Sequence, residues 1–227
     1  YKKANIYFSS VFWGDLIIGS VIFGGALVCI GKLQNLLNIP AGILTDVKFL
    51  FLFIFVNFWA TTVFSVFASA AIIKNKLDIA GIFKGISYLT EAIILYILYM
   101  FFPTRIYYVG IGIVASSLVV VFSNIQIRNH YVPVLRSKKR NFSMDAVKRL
   151  VLGGIWTSVN SVGGLLNNGL DLLICNLMLS SVAMGQMAIA KMINSIFQAL
   201  YTIVSQAFQP MFLKSYSEGK MEILLQE

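Results

Sequence analysis

Two apolar stretches of this sequence carry polar residues at helical spacing, and those residues have the most chemistry to offer. In the first, Asn160, Gly164, Asn167, Asn168 and Asp171 fall at offsets 0, 4, 7, 8 and 11, which at about 100° per residue places them on one helix face. In the second, Lys191, Ser195, Gln198, Thr202, Ser205 and Gln209 fall at offsets 0, 4, 7, 11, 14 and 18, again a single stripe. Unsatisfied polar groups in hydrocarbon are costly, so neither stripe faces lipid. Two uses remain open: hydrogen bonding between neighbouring helices, or the lining of a water-filled cavity. Asp171 and Lys191 lie ten residues on either side of a turn near Ser181, so an antiparallel hairpin brings them to matching depth, where they can pair. Lys191 is the one cation within an apolar span, and an anionic headgroup entering a cavity needs such a group. Asp15 and Glu91 are isolated carboxylates inside two other apolar runs. Carboxylates at that depth bind a cation or take up a proton, or else reach back to water at the interface. His130 has no second His or Cys at ligand spacing, which argues against a metal site. There is no nucleophile elbow, phosphate-cradling glycine loop or paired-carboxylate motif, so the chain does not read as an enzyme.

The elements that must position these residues are membrane helices. Of 227 residues, 58% are hydrophobic and 12% charged, against about 25% charged in a soluble domain, and a water-soluble fold is excluded. Runs free of Asp, Glu, Lys and Arg cover Phe49 to Ile73, Ile106 to Ile127, Leu150 to Leu170 and Met192 to Leu213, each long enough to cross a bilayer as a helix. Ile6 to Ile30 around Asp15, and Ile86 to Phe102 around Glu91, make two more. The expected fold class is therefore an all-α polytopic membrane helix bundle with six crossings. Runs of this length exclude the short alternating strands of a barrel.

Charge sets the expected topology. The net charge is +9, and 14 of the 18 Lys and Arg residues fall on one side of the six spans, so that side and both chain ends are cytoplasmic. The charge is thus topological and does not call for nucleic acid as a partner. The outer turn Pro103-Thr104-Arg105, flanked by Tyr96, Tyr99, Tyr107 and Tyr108, makes the third and fourth spans a hairpin with an interfacial aromatic belt. Gly31 to Val47 mixes leucines with polar residues and Pro40, and is expected to lie along the interface. The organisation read from these signals is four spans in 1–127, a basic cytoplasmic loop in 128–149, and two spans with a cytoplasmic tail in 150–227. The loop contains R-S-K-K-R at Arg136 to Arg140, a run that positive-inside retention explains and that also suits anionic headgroups. Cys29 and Cys175 both sit in apolar segments as small hydrophobes. The chain opens at Tyr1 without an initiator methionine and is expected to be a segment of a longer protein.

The stretch G-G-I-W-T-S-V-N-S-V-G-G-L-L-N-N-G-L-D-L-L-I from Gly153 to Ile174, with M-G-Q-M-A-I-A-K from Met184 to Lys191 and Q-P-M-F-L-K-S-Y from Gln209 to Tyr216, resembles the polysaccharide repeat-unit flippases of the MOP exporter superfamily. K-N-K-L-D at Lys74 to Asp78 is similar to that family's short cytoplasmic loop. The resemblance implies a protein of 12 or 14 spans in two six-helix lobes around a cavity that opens alternately to each side. This chain would hold the last four helices of the first lobe, the interlobe loop, and the first two helices of the second. It further implies transport of undecaprenyl-diphosphate-linked oligosaccharide across the bacterial cytoplasmic membrane, with no cofactor and with proton or sodium coupling in several members. Lys191 would face the diphosphate or an acidic sugar, and Asp171 would hold or gate it. Asn160, Asn167, Asn168, Gln198 and Thr202 would line the cavity. The implied partners are membrane lipids, the lipid-linked oligosaccharide and other polysaccharide-assembly proteins. A cation antiporter of the same superfamily is the alternative; a surface-polymer polymerase or ligase fits less well, because the outer segments here are short.

Overall fold

The computed structural model describes residues 2–217, and it is helical with no strand among them. It divides into two compact units, 1–163 and 164–227, with the boundary inside a continuous helix.

In the first unit, α1 (Lys2–Gly31) leads through one short helical turn, α2 (Leu33–Leu36), to α3 (Leu44–Phe64), which begins shortly after Pro40. A proline there suits a helix start, having no N–H to leave unpaired. Beyond Phe64 the same span tightens into a 3-10 stretch, Ser65–Ala68, and continues as α4 (Ser69–Ile73). Hydroxyls bond back to the helix around this change of pitch. Thr61 Oγ1 donates to the Asn57 carbonyl at 2.8 Å and Ser69 Oγ to the Val66 carbonyl at 2.6 Å, a pattern that bends helices. Asn75, at φ 51°, turns the chain into α5 (Leu77–Phe101); asparagine is among the few residues that visit the left-handed region readily. The Pro103 turn then reverses it into α6 (Tyr108–Tyr131), with Tyr108 Oη donating to the Pro103 carbonyl at 2.9 Å.

The helices pack as a row in which α3 lies between α1 and α6, and α6 between α3 and α5. Glycine permits the closest approach: a Cβ on Gly110 of α6 would lie 2.7 Å from Phe53 Cβ on α3. Among the described residues four helical segments are long and apolar enough to cross a membrane, Lys3–Gly31, Leu44–Ile73, Leu77–Phe101 and Tyr108–Tyr131. Their large apolar side chains, Ile17, Val21, Leu89 and Phe122 among them, are largely exposed, as a lipid-facing surface requires.

The buried core of this unit sits at its basic end, where Phe8, Val66, Phe67, Ala70, Ile127, Val132 and Leu135 meet. Segment 132–143 is strapped across α1 by side chain to backbone hydrogen bonds. Asn5 Oδ1 accepts from the Arg136 N–H at 3.0 Å, Ser9 Oγ donates to the Arg136 carbonyl at 3.0 Å and lies 3.2 Å from the Lys138 N–H, and Ser10 Oγ accepts from the Ser143 N–H at 2.9 Å. The basic segment expected at 128–149 is therefore shorter as a loop than its charges suggest. α6 runs on to Tyr131, and α7 (Met144–Met178) starts before Arg149. Helices continue into water wherever backbone bonding persists, and charged side chains do not end them.

α7 has 35 residues and α8 (Ser181–Ser217) has 37, lengths of about 52 and 55 Å at 1.5 Å per residue. Both exceed the charge-free runs from which the fifth and sixth crossings were expected. Their polar stripes make them less apolar than the four segments above.

Candidate functional site

The second unit is a helical hairpin. Its turn is built by Cys175, whose carbonyl accepts from the N–H groups of Leu179 and Ser180, both at 3.1 Å. Ser180 Oγ then accepts from the Ala183 N–H at 3.1 Å, the N-cap arrangement that starts α8. Four residues toward the start of α7 from Cys175 is Asp171, and four residues beyond Met187 on α8 is Lys191. The Cys175 and Met187 sulfurs are 3.4 Å apart, so these helix faces meet, and Lys191 Nζ lies 2.6 Å from Asp171 Oδ1 and 2.5 Å from Oδ2. The two side chains retain 29% and 36% of their exposure, Lys191 the lower, so the pair is reachable from outside the hairpin. Asp171 Oδ1 also accepts from the Leu172 N–H at 2.9 Å, which fixes the carboxylate. The ten-residue symmetry about Ser181 thus places both charges at one level.

Farther from the turn in this unit, Asn167, Ser195, Gln198 and Thr202 are exposed, and so is Asn160 at the end of the first unit. Hydroxyls on the second stripe are satisfied within their own helix, with Ser195 Oγ donating to the Met192 carbonyl and Thr202 Oγ1 to the Gln198 carbonyl, both at 2.7 Å. This third use of a polar stripe was not anticipated from spacing; it leaves the amides of Asn160, Asn167 and Gln198 as the groups that need an outside partner. The side chains of Asn168, Ser205 and Gln209, and residues beyond Ser217, lie outside those described.

The first unit holds a separate polar cleft of about 210 Å3 between α3, α5 and α6, lined by Asn57, Thr61, Lys84, Ser87, Glu91, Ser116 and Ser117. Glu91 Oε2 accepts from Ser116 Oγ at 3.1 Å. Ser87, Ser116 and Ser117 are buried, and the Asn57 Oδ1 is buried without a hydrogen-bond partner. An acceptor left unpaired in a membrane span is expensive, and it shares this cleft with two groups of opposite charge, Glu91 and Lys84. Of these residues the sequence reading singled out only Glu91. The others had a signal, since Asn57 and Thr61, and Ser87 and Glu91, are i,i+4 pairs in otherwise apolar runs, but pairing them across helices needs the α3–α6–α5 order.

Asp15 does not join this cleft. Its Oδ2 accepts from Ser65 Oγ at 3.3 Å, between α1 and the 3-10 stretch, and Trp59 Nε1 donates to Ser20 Oγ at 3.2 Å a little farther along the same interface. His130 packs edge-on against Tyr131, with ring centres 4.7 Å apart.

No family model matches the chain, and no solved structure matches it. Over 224 residues, 99% of its length, it is 25% identical to the "Uncharacterized membrane protein EpsK" of Bacillus subtilis (strain 168). It spans 44% of that protein. The chain is a helical membrane protein with a membrane-protein relative along almost its whole length.

Proposed function

We propose that the protein is a flippase that carries undecaprenyl-diphosphate-linked oligosaccharide repeat units across the bacterial cytoplasmic membrane by alternating access, and that it is not an enzyme. The observation that carries this reading is the Lys191–Asp171 pair, half-open to its surroundings, on two long helices whose polar stripes lead away from it. In this account α7 and α8 cross the membrane like the four apolar segments, giving six crossings with the basic ends in the cytoplasm. An anionic diphosphate arriving along the stripes competes with Asp171 for Lys191. Asp171 keeps the empty site neutral, and by repulsion it favours release once the cavity has turned outward. The exposed amides of Asn160, Asn167 and Gln198 offer donors and acceptors to sugar hydroxyls without committing to one sugar.

One observation favours adding cation coupling, as in an antiporter of the same superfamily. Glu91 and the unpaired side-chain oxygen Oδ1 of Asn57 line one cleft in the first unit, and a proton or sodium ion taken up there would neutralise the carboxylate.

Lys191→Ala and Lys191→Arg, expressed in a host lacking the native gene, test the reading. The alanine variant is expected to reach the membrane at normal level and to abolish surface delivery of repeat units, while arginine retains part of it. Normal delivery by Lys191→Ala removes the proposed role.

A further inference from the structure

The strap across α1 gives the basic segment a fixed place. Ser9 and Ser10, fully buried, hold its backbone, and Arg136, Lys138, Lys139 and Arg140 are left exposed. Apolar side chains of the same segment are exposed beside them, Val134 at 45% and Phe142 at 37%, followed by Met144 at 59%. A segment that presents lysine, arginine and bare aliphatic and aromatic groups together fits the level where headgroups meet acyl chains.

Between it and α1 lies a slot of about 200 Å3 lined by Trp13, Ile17, Lys139 and Phe142. Lys139 Nζ stands 4.8 Å from the centre of the Trp13 ring, at one end of an otherwise apolar wall. Ile17 is one helical turn deeper than Trp13, and Val21 one turn deeper again; they are 57% and 71% exposed. The slot therefore continues into a lipid-facing strip of α1. No carboxylate lines it, and Asp15, the nearest in sequence, is bonded to Ser65.

We propose that this slot is a resident site for an anionic glycerophospholipid, with the phosphate at Lys139 and Arg140 and one acyl chain running past Trp13 and Phe142 along Ile17 and Val21. A cation above an apolar channel that opens to lipid matches such a molecule at both ends. A soluble phosphate would meet the charge but leave the channel unfilled. The site lies wholly in the first unit and does not depend on what the protein carries.

The test is native mass spectrometry of the intact protein in detergent, titrated separately with dioleoyl phosphatidylglycerol and dioleoyl phosphatidylcholine. One phosphatidylglycerol is expected to bind first, preferred by at least about fivefold, one basic residue's contribution at an anionic surface. Lys139→Gln/Arg140→Gln is expected to weaken it about 30-fold, about fivefold per charge compounded. Phe142→Ser, with both charges intact, is expected to weaken it too, and excess inorganic phosphate to leave it bound. Equal retention of the two lipids by the wild-type protein overturns the proposal without any variant. Unchanged binding in the double variant, or displacement by inorganic phosphate, also overturns it.

Discussion

Replacing Gly110 by alanine tests the packing that creates the Glu91 cleft. The added methyl would sit 2.7 Å from Phe53 Cβ, 3.2 Å from its Cδ2 and 3.3 Å from its Cγ. A ring can swing aside, but Cβ is fixed to the α3 backbone, so α3 and α6 must separate. Overpacking of this kind costs about 1–3 kcal/mol. Alanine recovers about 1 kcal/mol of helix propensity, so the net loss is about 0–2 kcal/mol. Gly85→Ala on α5 supplies the control, because nothing lies within 4 Å of a Cβ there. Propensity cancels between the two variants, and their difference isolates the steric cost at about 1–3 kcal/mol. Measured as the midpoint of heat-induced loss of the monodisperse peak in detergent, that is about 2–4 °C per kcal/mol for a chain of this size. Phe53→Ala keeps the Cβ and is expected to rescue Gly110→Ala only in part. If Gly110→Ala proves as stable as Gly85→Ala, the close approach of α3 and α6 is wrong.

Other outcomes follow from the same geometry. Ser10→Ala removes the acceptor for the Ser143 N–H in a buried position, a loss of about 1–3 kcal/mol, and limited trypsin digestion at Arg136 to Arg140 is expected to accelerate; an unchanged digestion rate would mean that the strap is not held there. Asp46→Asn breaks a 3.4 Å contact to an Arg105 side chain that is 53% exposed, so thermal stability is expected to change by less than about 1 kcal/mol. Glu91→Gln is expected to leave the protein folded but to remove any dependence of transport on an imposed proton or sodium gradient in proteoliposomes; persistence of that dependence would take the coupling site out of the cleft.

What the sequence made legible was whatever a single helix or a single turn decides. The i,i+4 pattern placed Asp171 with the other polar residues of its stripe, and equal offsets from Ser181 sufficed to bring it to Lys191. Pro103 and the tyrosines around it marked the α5–α6 hairpin for the same local reason. The cleft was not legible, because Asn57, Glu91 and Ser116 belong to three helices and nothing in their spacing states the order in which those helices pack. The strap was hidden more deeply. Its bonds run from Asn5, Ser9 and Ser10 to backbone groups of the loop, and a backbone partner leaves no trace in side-chain identity. Helices also run past the charge-free spans, which spacing of charge alone does not show: Lys2, Arg128 and Lys148 all lie within helices.

Leaflet-resolved detection of lipid-linked oligosaccharide tests the central claim most directly, using a membrane-impermeant sugar-oxidising or lectin probe on intact protoplasts after depletion of the protein. The account predicts that single repeat units accumulate, protected from the probe on the cytoplasmic leaflet, and that they become accessible once the wild-type protein is restored. Repeat units that accumulate on the outer leaflet, or that do not accumulate at all, would contradict it.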